Sequence, residues 1–451
     1  MREYPDYKPS NVPWLGKVPS HWEVWKVTHG FNRIGSGTTP KSDNPIFYDG
    51  DIPWVTTSEL RETVILDTSQ KVTEEAVATY SALKTYPKGS LAIAMYGATI
   101  GRLGILGVDA TFNQACCVYA EPTVFDTRFV YYWLWMRRPI LISLSNGGGQ
   151  PNLSQDDLKK IWIPIPKVNE QKAIVRFLDH KTAQIDALIA KKQSLLEKLA
   201  EQRTALISQA VTKGLDPSVP MKDSGVDWLG EIPAHWQCRR LRFDLKMNPS
   251  KSEIQLDDQD LVSFVPMEAV GEYGGLNLDI EKELSEIGSG YTYFSDNDVV
   301  VAKITPCFEN RKGAFAKGLK NGVAFGTTEL HVLRANNNLL PEYLFNITMS
   351  HAFAKLGESE MFGAGGQKRV PESFFKDFTI GIPPTLEQQE ILNYIQDVRS
   401  KFSQRFDKVT EIISRLHEYR AALITNAVTG KIDVRDFCPN AIAEQKELAH
   451  G

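Results

Sequence analysis

Two histidines recur in the same setting, His21 in Pro19-Ser20-His21-Trp22 and His235 in Pro233-Ala234-His235-Trp236, and a repeated imidazole is a candidate catalytic base. Nothing completes it: no nucleophile, base and orienting acid assemble by spacing, so both histidines read as packing residues at the entry to a domain. Metal-assisted phosphodiester cleavage needs two or three carboxylates and a lysine on adjacent strands. The nearest local match, Glu281-Lys282-Glu283, lies in a charged stretch that reads as solvent-facing. Methyl transfer needs a Gly-rich loop after a strand and, for an amino nitrogen, an Asn/Asp-Pro-Pro-aromatic tetrapeptide. Phe362-Gly363-Ala364-Gly365-Gly366 follows a predicted helix, and Asn44-Pro45-Ile46-Phe47 lacks the second proline. No G-x-x-x-x-G-K-[ST] string supports ATP hydrolysis. Cys116, Cys117, Cys238, Cys307 and Cys438 form no C-x-x-C pair and no Cys/His cluster, so neither structural zinc nor a cystine framework is expected. The expectation is a non-catalytic chain with no metal and no cofactor of its own.

What remains is recognition. Arg33, Lys41, Thr57, Ser58, Arg61, Arg102, Asn113, Gln114, Gln150 and Asn152 in the first half are the donor types that serve phosphates and base edges. In the second half the same types stand at Lys303, Thr305, Arg311, Lys312, Thr327, Gln367, Lys368 and Arg369. Each alone could be an ordinary solvated residue. As a set they concentrate in Gly- or Ser-rich loops rather than on helix faces, which is where recognition side chains are displayed.

Those loops need elements to hold them. The chain has 451 residues, 42% of them hydrophobic and 10% aromatic, enough for two or three domains and too apolar for disorder. With 51 Lys+Arg against 55 Asp+Glu, the net charge of -4 excludes a uniformly basic coat and leaves a local basic face open. No basic leader and no window of about 20 apolar residues is present, so a soluble cytoplasmic protein in a reducing compartment is expected. Leu91-Ala92-Ile93-Ala94-Met95 and Val299-Val300-Val301-Ala302 predict buried strands; Asp49-Gly50, Asp109-Ala110 and Asn321-Gly322 predict turns. Phe129 to Leu134, preceded by a capping Asp126, and Tyr343 to Ile347, after Pro341-Glu342, predict helices.

The sequence is duplicated, and the repeat sets the architecture. Ser10, Trp14-Leu15-Gly16, Pro19 and His21-Trp22 return as Ser224, Trp228-Leu229-Gly230, Pro233 and His235-Trp236. Ile163, Ile165-Pro166, Glu170-Gln171, Ile174, Arg203, Leu206-Ile207 and Ala210-Val211-Thr212 return as Ile380, Ile382-Pro383, Glu387-Gln388, Ile391, Arg420, Leu423-Ile424 and Ala427-Val428-Thr429. Gly148-Gly149-Gln150 matches Gly365-Gly366-Gln367. Residues 169 to 213 hold no proline or glycine and carry an apolar seam through Ile174, Leu178, Ile185, Leu188, Leu195, Leu199 and Leu206. The second copy runs through Ile391, Ile395, Val398, Phe402, Val409, Ile412, Leu416, Tyr419 and Leu423. Where the first seam carries Lys181, Lys192 and Gln202, the second carries Val398, Val409 and Tyr419, and where the second carries Arg405 the first carries Leu188, so the two helices, with complementary defects, should pair. The expected fold is α+β: two pseudo-twofold-related recognition domains separated by an antiparallel two-helix coiled coil of roughly 65 Å. The expected segments are 1–160 (first recognition domain), 161–215 (first helical region), 216–377 (linker and second recognition domain), 378–432 (second helical region) and a tail, 433–451.

Trp14-Leu15-Gly16-x-x-Pro-x-His-Trp, Gly50-Asp51-Ile52-Pro53-Trp54-Val55, Gly149-Gln150-Pro151-Asn152-Leu153-Ser154 and Ile163-Pro164-Ile165-Pro166 followed by Glu170-Gln171-Lys172-Ala173-Ile174 together resemble a specificity subunit of a Type I restriction-modification enzyme. The resemblance covers nearly the whole chain. The second half departs at the Gly-Asp-Ile-Pro-Trp segment, where the nearest text is Leu261-Val262-Ser263-Phe264-Val265-Pro266-Met267. The resemblance implies two target-recognition domains that each read one half of a split, asymmetric DNA site. It also implies helical regions that dock methyltransferase subunits, two in number, with restriction subunits joining through them. S-adenosylmethionine, ATP and Mg2+ would then belong to the partners, and the modified base would be an adenine. The alternatives left open are a self-contained DNA methyltransferase or nuclease, and a coiled-coil adaptor that binds something other than DNA.

Overall fold

The structure, a computed structural model, describes residues 2–143, 152–364 and 366–438. It divides into two compact units, Met1–Lys191 with Ile412–Gly451, and Lys192–Glu411. Each contains one mixed α/β domain and parts of both long helices.

In the first unit the repeated Trp14-Leu15-Gly16 lies in the loop of a hairpin of Tyr7–Pro9 on Lys17–Pro19. Glu23–Lys26 then pairs with Trp162–Ile165, Trp25 opposite Ile163, and so closes the neck of the domain. Between them lie two sheets. One has the order Phe31–Gly35, Cys116–Pro122, Leu91–Ala94, Leu103–Leu106, Val64–Ile65; the other has Tyr48–Val55 between Thr111–Phe112 and Lys71–Val72. Leu91–Ala94 is buried at every residue, as a continuous apolar run flanked by strands on both sides must be. The helix Thr127–Ser143 starts where Asp126 Oδ1 accepts the N–H groups of Arg128 (2.9 Å) and Phe129 (3.3 Å), and it buries Phe129, Val130, Trp133 and Leu134.

The second unit repeats this plan. Met221–Asp223 pairs with Glu231–Pro233, and Gln237–Arg240 with Thr379–Ile382, Arg239 opposite Ile380. One sheet has the order Leu245–Met247, Leu330–Ala335, Val299–Ala302, Gly313–Phe315; the other, Glu281–Glu283, Leu261–Val265, Val323–Gly326, Thr292–Ser295. The second sheet of each unit holds one parallel pair: Thr111 beside Trp54 and Phe112 beside Val55, and Ser263 to Val265 beside Ala324 to Gly326. Leu261–Val265 thus occupies the place of the Gly-Asp-Ile-Pro-Trp-Val strand despite the lost sequence match. Helix Pro341–Thr348 contains the predicted Tyr343 to Ile347.

One turn expectation is corrected. Asp49-Gly50 lies inside the strand Tyr48–Val55, where the register shifts between Tyr48 and Ile52, and Asp49 has φ +58°. This is a bulge, with the Gly50 Cα so close to the neighbouring strand that an added Cβ would sit 2.4 Å from the Val72 carbonyl oxygen. Asn321-Gly322 does turn, both residues at positive φ (50° and 69°).

The long helices span Val168–Lys213 and Thr385–Val428. In the first unit Ile174, Leu178, Ile185 and Ile189 share a core with Leu423, Ile424, Ala427 and Val428, and with Trp22 and Trp133. In the second, Ala210 and Val211 share a core with Ile391, Leu392 and Ile395, and with Trp236. The start of each helix therefore packs with the end of the other, the pairing an antiparallel coil requires. Leu199, Val398, Phe402 and Val409 are also buried, and Leu206 and Leu416 half-buried. Leu188, Leu195 and Ile412 are 41%, 37% and 40% exposed and lie off the buried line.

Candidate nucleic-acid interface

Each unit's α/β domain is clamped to a long helix by the repeated residues. Glu170, in the first turn of its helix, accepts the Trp22 indole N–H at 3.0 Å through Oε1 and bonds His21 Nε2 at 2.9 Å through Oε2. Glu387 does the same with Trp236 (2.9 Å) and His235 (2.7 Å). Gln171 donates to the carbonyls of Val124 and Pro166 and accepts from Asp126 N–H; Gln388 donates to Asn338 and Pro383 and accepts from Leu340 N–H. The repeated histidines are thus framework groups bound to carboxylates. Glu170 and Glu387 as their partners escaped the sequence reading, although both lie in the second repeated block.

The loops at one end of the two sheets form a second repeated construction. In the first unit Met95 N–H donates to Ala115 O (2.8 Å), Leu153 N–H to Met95 O (2.8 Å), Ala94 N–H to Arg102 O (2.9 Å) and Asn113 N–H to Val55 O (3.0 Å), while Tyr96 bridges Asn152. In the second unit Lys303 N–H donates to Glu329 O (2.9 Å), Val370 N–H to Lys303 O (2.8 Å), Ala302 N–H to Lys312 O (2.9 Å) and Thr327 N–H to Val265 O (3.3 Å), while Ile304 bridges Arg369. The main-chain frame is the same and the side chains differ. Met95 corresponds to Lys303, Arg102 to Lys312, Asn113 to Thr327, Ala115 to Glu329 and Asn152 to Arg369. A constant frame with an exchanged lining is what two readers of different sequences need.

The frame gathers Arg102, Asn113, Gln114 and Asn152 in the first unit, with Thr57 and Ser58 in the short turn that follows the strand ending at Val55. Asn113 Oδ1 accepts Ala115 N–H (3.1 Å), and Gln114 Oε1 accepts the Thr39 hydroxyl (2.6 Å). The Ser58 hydroxyl bonds that of Thr56 (2.8 Å), and Arg61 Nε donates to Ser58 O (3.1 Å). Exposed Lys41 is tied through its main-chain N–H to the Tyr80 hydroxyl. Arg33 is turned inward, donating to Thr85 O at 2.9 Å with its guanidinium 3.8 Å from the Tyr86 ring centroid. Gln150 lies outside the described residues.

In the second unit the frame gathers Lys303, Thr305, Lys312, Thr327 and Arg369. Lys303 lines a cavity of about 300 Å³ with Asn248, Ser250, Lys251, Tyr291 and Tyr293. The Thr305 hydroxyl donates to Lys368 O (3.3 Å), Lys312 Nζ to Met267 O (3.1 Å), and Thr327 Oγ1 accepts Glu329 N–H (3.2 Å). Arg311 reaches back to Met349 O (3.3 Å) beside the Tyr273 ring. Gln367 and Lys368 are exposed. Arg369 is held side-on by Glu329, Nε to Oε2 at 2.9 Å and Nη2 to Oε1 at 2.7 Å, and this bonding keeps the Glu329 carboxyl below its ordinary range. Glu329 is a residue the sequence reading missed; its counterpart Ala115 offers no repeat signal.

Burial pushes the Cys117 thiol up to about 12 and raises Cys116 further, so neither is a ready thiolate. Among the described residues no cluster of three His, Cys, Asp or Glu is placed to hold a metal ion, and no helix is long and apolar enough to cross a membrane.

A model of the family described as Type I restriction modification DNA specificity domain matches residues 19–198 and 282–409. The chain is 41% identical over 201 residues to the Type I restriction enzyme EcoEI specificity subunit of Escherichia coli, and 38% identical over 200 residues to the EcoAI specificity subunit of the same organism. Each match takes in 44% of this chain and 33% of the relative, so the chain matches about a third of the length of these relatives. A chain from the structure that describes complex assembly and conformational transition of the type I R-M system superposes with a TM-score of 0.68 at 13% identity, over 92% of this chain and 99% of that one, a likeness of fold.

Proposed function

Because this chain belongs to the Type I restriction modification DNA specificity family, we propose that it is the DNA-reading subunit of such an enzyme and recognises a two-part, asymmetric site. The observation that carries this reading is the duplicated loop frame with its exchanged side chains: Arg102, Asn113 and Asn152 in one unit stand where Lys312, Thr327 and Arg369 stand in the other. Identical halves on DNA read a palindrome; halves with one framework and two linings read two different short sequences. Each wrong base pair costs roughly 1 to 3 kcal/mol, so both units have to engage for useful selectivity.

The chain performs no chemistry itself in this reading. Methyltransferase subunits, two per chain, dock on the long helices, and restriction subunits join through them. S-adenosylmethionine, ATP and Mg2+ are used by those partners, in the cytoplasm. The target base, an adenine, leaves the stack and enters a partner's pocket. The test is to co-express the chain with its methyltransferase subunit and map modified adenines across the host genome. A split motif with a constant gap is expected; an assembled complex that adds no new motif refutes the reading.

A further inference from the structure

We propose that Arg369 reads a guanine in the half-site of the second unit, with Glu329 holding its guanidinium in the reading orientation. This rests on the DNA-recognition reading above and goes beyond it by naming the residue and the base.

The Arg369 main chain is pinned from both sides. Its N–H donates to Phe362 O (2.9 Å), its carbonyl accepts Phe362 N–H (3.2 Å), and its neighbours are tied by Thr305 N–H to Lys368 O (3.0 Å) and Val370 N–H to Lys303 O (2.8 Å). The side chain is then fixed by the two bonds to Glu329, whose own main chain is held by Lys303 N–H on its carbonyl and by the Thr327 hydroxyl on its N–H. A guanidinium has five N–H groups. Side-on pairing uses Nε–H and one Nη2–H, and leaves the end-on edge, Nη1 with the other Nη2–H, facing away from the carboxylate. That edge is the one that pairs bidentately with O6 and N7 of guanine in the major groove. The Arg369 side chain is 42% exposed while Glu329 is 23% exposed, so the arginine is the more accessible partner of the pair. An arginine already confined to one plane loses less rotamer freedom on meeting its base than a solvated one.

The first unit supplies an internal contrast. Asn152 stands in the place of Arg369 and Ala115 in the place of Glu329, so the buttressed arginine belongs to the second unit alone, as a device for one half-site should. An ion pair that merely stitches two loops together would have no such base preference.

The test uses the full chain assembled with its methyltransferase subunits, and duplexes in which each base pair of the mapped site is changed in turn. Arg369→Ala is expected to weaken binding of the cognate site by about 5- to 150-fold, the equivalent of one bidentate pair. It should become indifferent to one G·C pair of the second half-site and keep every preference in the first. Arg369→Lys, which preserves the charge, and Glu329→Gln, which preserves the shape, should relax the same position; both guard against a fold defect in the alanine variant. Four results overturn the proposal: a second half-site without a G·C pair, an even loss across all positions as for a phosphate contact, an unaltered base preference in Arg369→Lys, or one in Glu329→Gln. A wild-type complex that shows no two-part site at all brings down the DNA-recognition reading itself, a result distinct from these.

Discussion

A carboxylate in the first turn of each long helix carries the junction between the helix and its α/β domain. Glu170 is 6% exposed and takes the Trp22 indole N–H, while Glu387 is 24% exposed and takes that of Trp236. Removing either leaves an indole donor unpaired against apolar surroundings, which costs about 1 to 3 kcal/mol. Glu170→Ala should therefore lower the melting temperature by several degrees for a unit of this size, and Glu387→Ala, more open to water, by less. Calorimetry checks both, and an unshifted transition in Glu170→Ala would show the clamp to be idle. His331 adds a pH dependence. Its Nε2–H donates to the Val370 carbonyl at 3.1 Å, and its Nδ1 is buried with no hydrogen-bond partner among the described residues, so burial lowers its pKa below the ordinary value. A histidine whose folded pKa is depressed binds its proton more readily when unfolded. Stability is then complete above about pH 6.5 and falls as the pH drops below that. Acid unfolding followed between pH 7.5 and 5 should show this slope, and His331→Phe should flatten it at the expense of the bond to Val370.

At the scale of elements, the long helices were legible because more than 40 residues without proline or glycine carry a period near 3.6. The buried strands Leu91–Ala94 and Val299–Ala302 were legible as continuous apolar runs. What the sequence concealed is either local chemistry with two outcomes or contact across long separations. Asp49-Gly50 suits a tight turn and a bulge equally, and the facing strand decides between them. Glu329 and Arg369 lie 40 residues apart with Ala115 and Asn152 in the other copy, so neither spacing nor the repeat announces the pair. A strict seven-residue seam also drifts on a helix of 3.6 residues per turn: Ile185 and Ile189 are buried, and Leu188, one position away, is exposed. Leu195 and Ile412 are exposed in the same way, which separates folding from assembly. Leu195→Asp combined with Ile412→Asp should change stability by under about 1 kcal/mol, as for surface positions, yet abolish co-purification with the methyltransferase subunit. Leu178→Ala, at a fully buried site, should cost about 2 to 5 kcal/mol. Retained co-purification by the double variant would mean that partners dock elsewhere.

For the whole molecule, the repeat predicts that the two domains are exchangeable parts, and the boundaries of the exchange can be read from hydrogen bonds. Val27 N–H donates to Ile161 O at 2.8 Å at one neck, and Leu241 N–H to Phe378 O at 3.0 Å at the other. Just below, Trp25 faces Ile163 and Arg239 faces Ile380 in the same register. Above the neck, Gln171 and Gln388 grip equivalent carbonyls, those of Val124 and Asn338. Residues 27–161 placed in the stead of 241–378 should therefore meet a neck of matching register and a helix with its glutamine already in position. The chain so built carries one lining twice. If each lining reads its own half-site, its modification motif has two identical components, both equal to the first component of the wild-type motif, and the second wild-type component vanishes. Genome-wide mapping of modified adenines reads this directly. A chimera that assembles with its partners and still modifies the wild-type motif would place the specificity outside the exchanged residues, in the necks or the helices, and the loop frames would then be scaffold rather than readers.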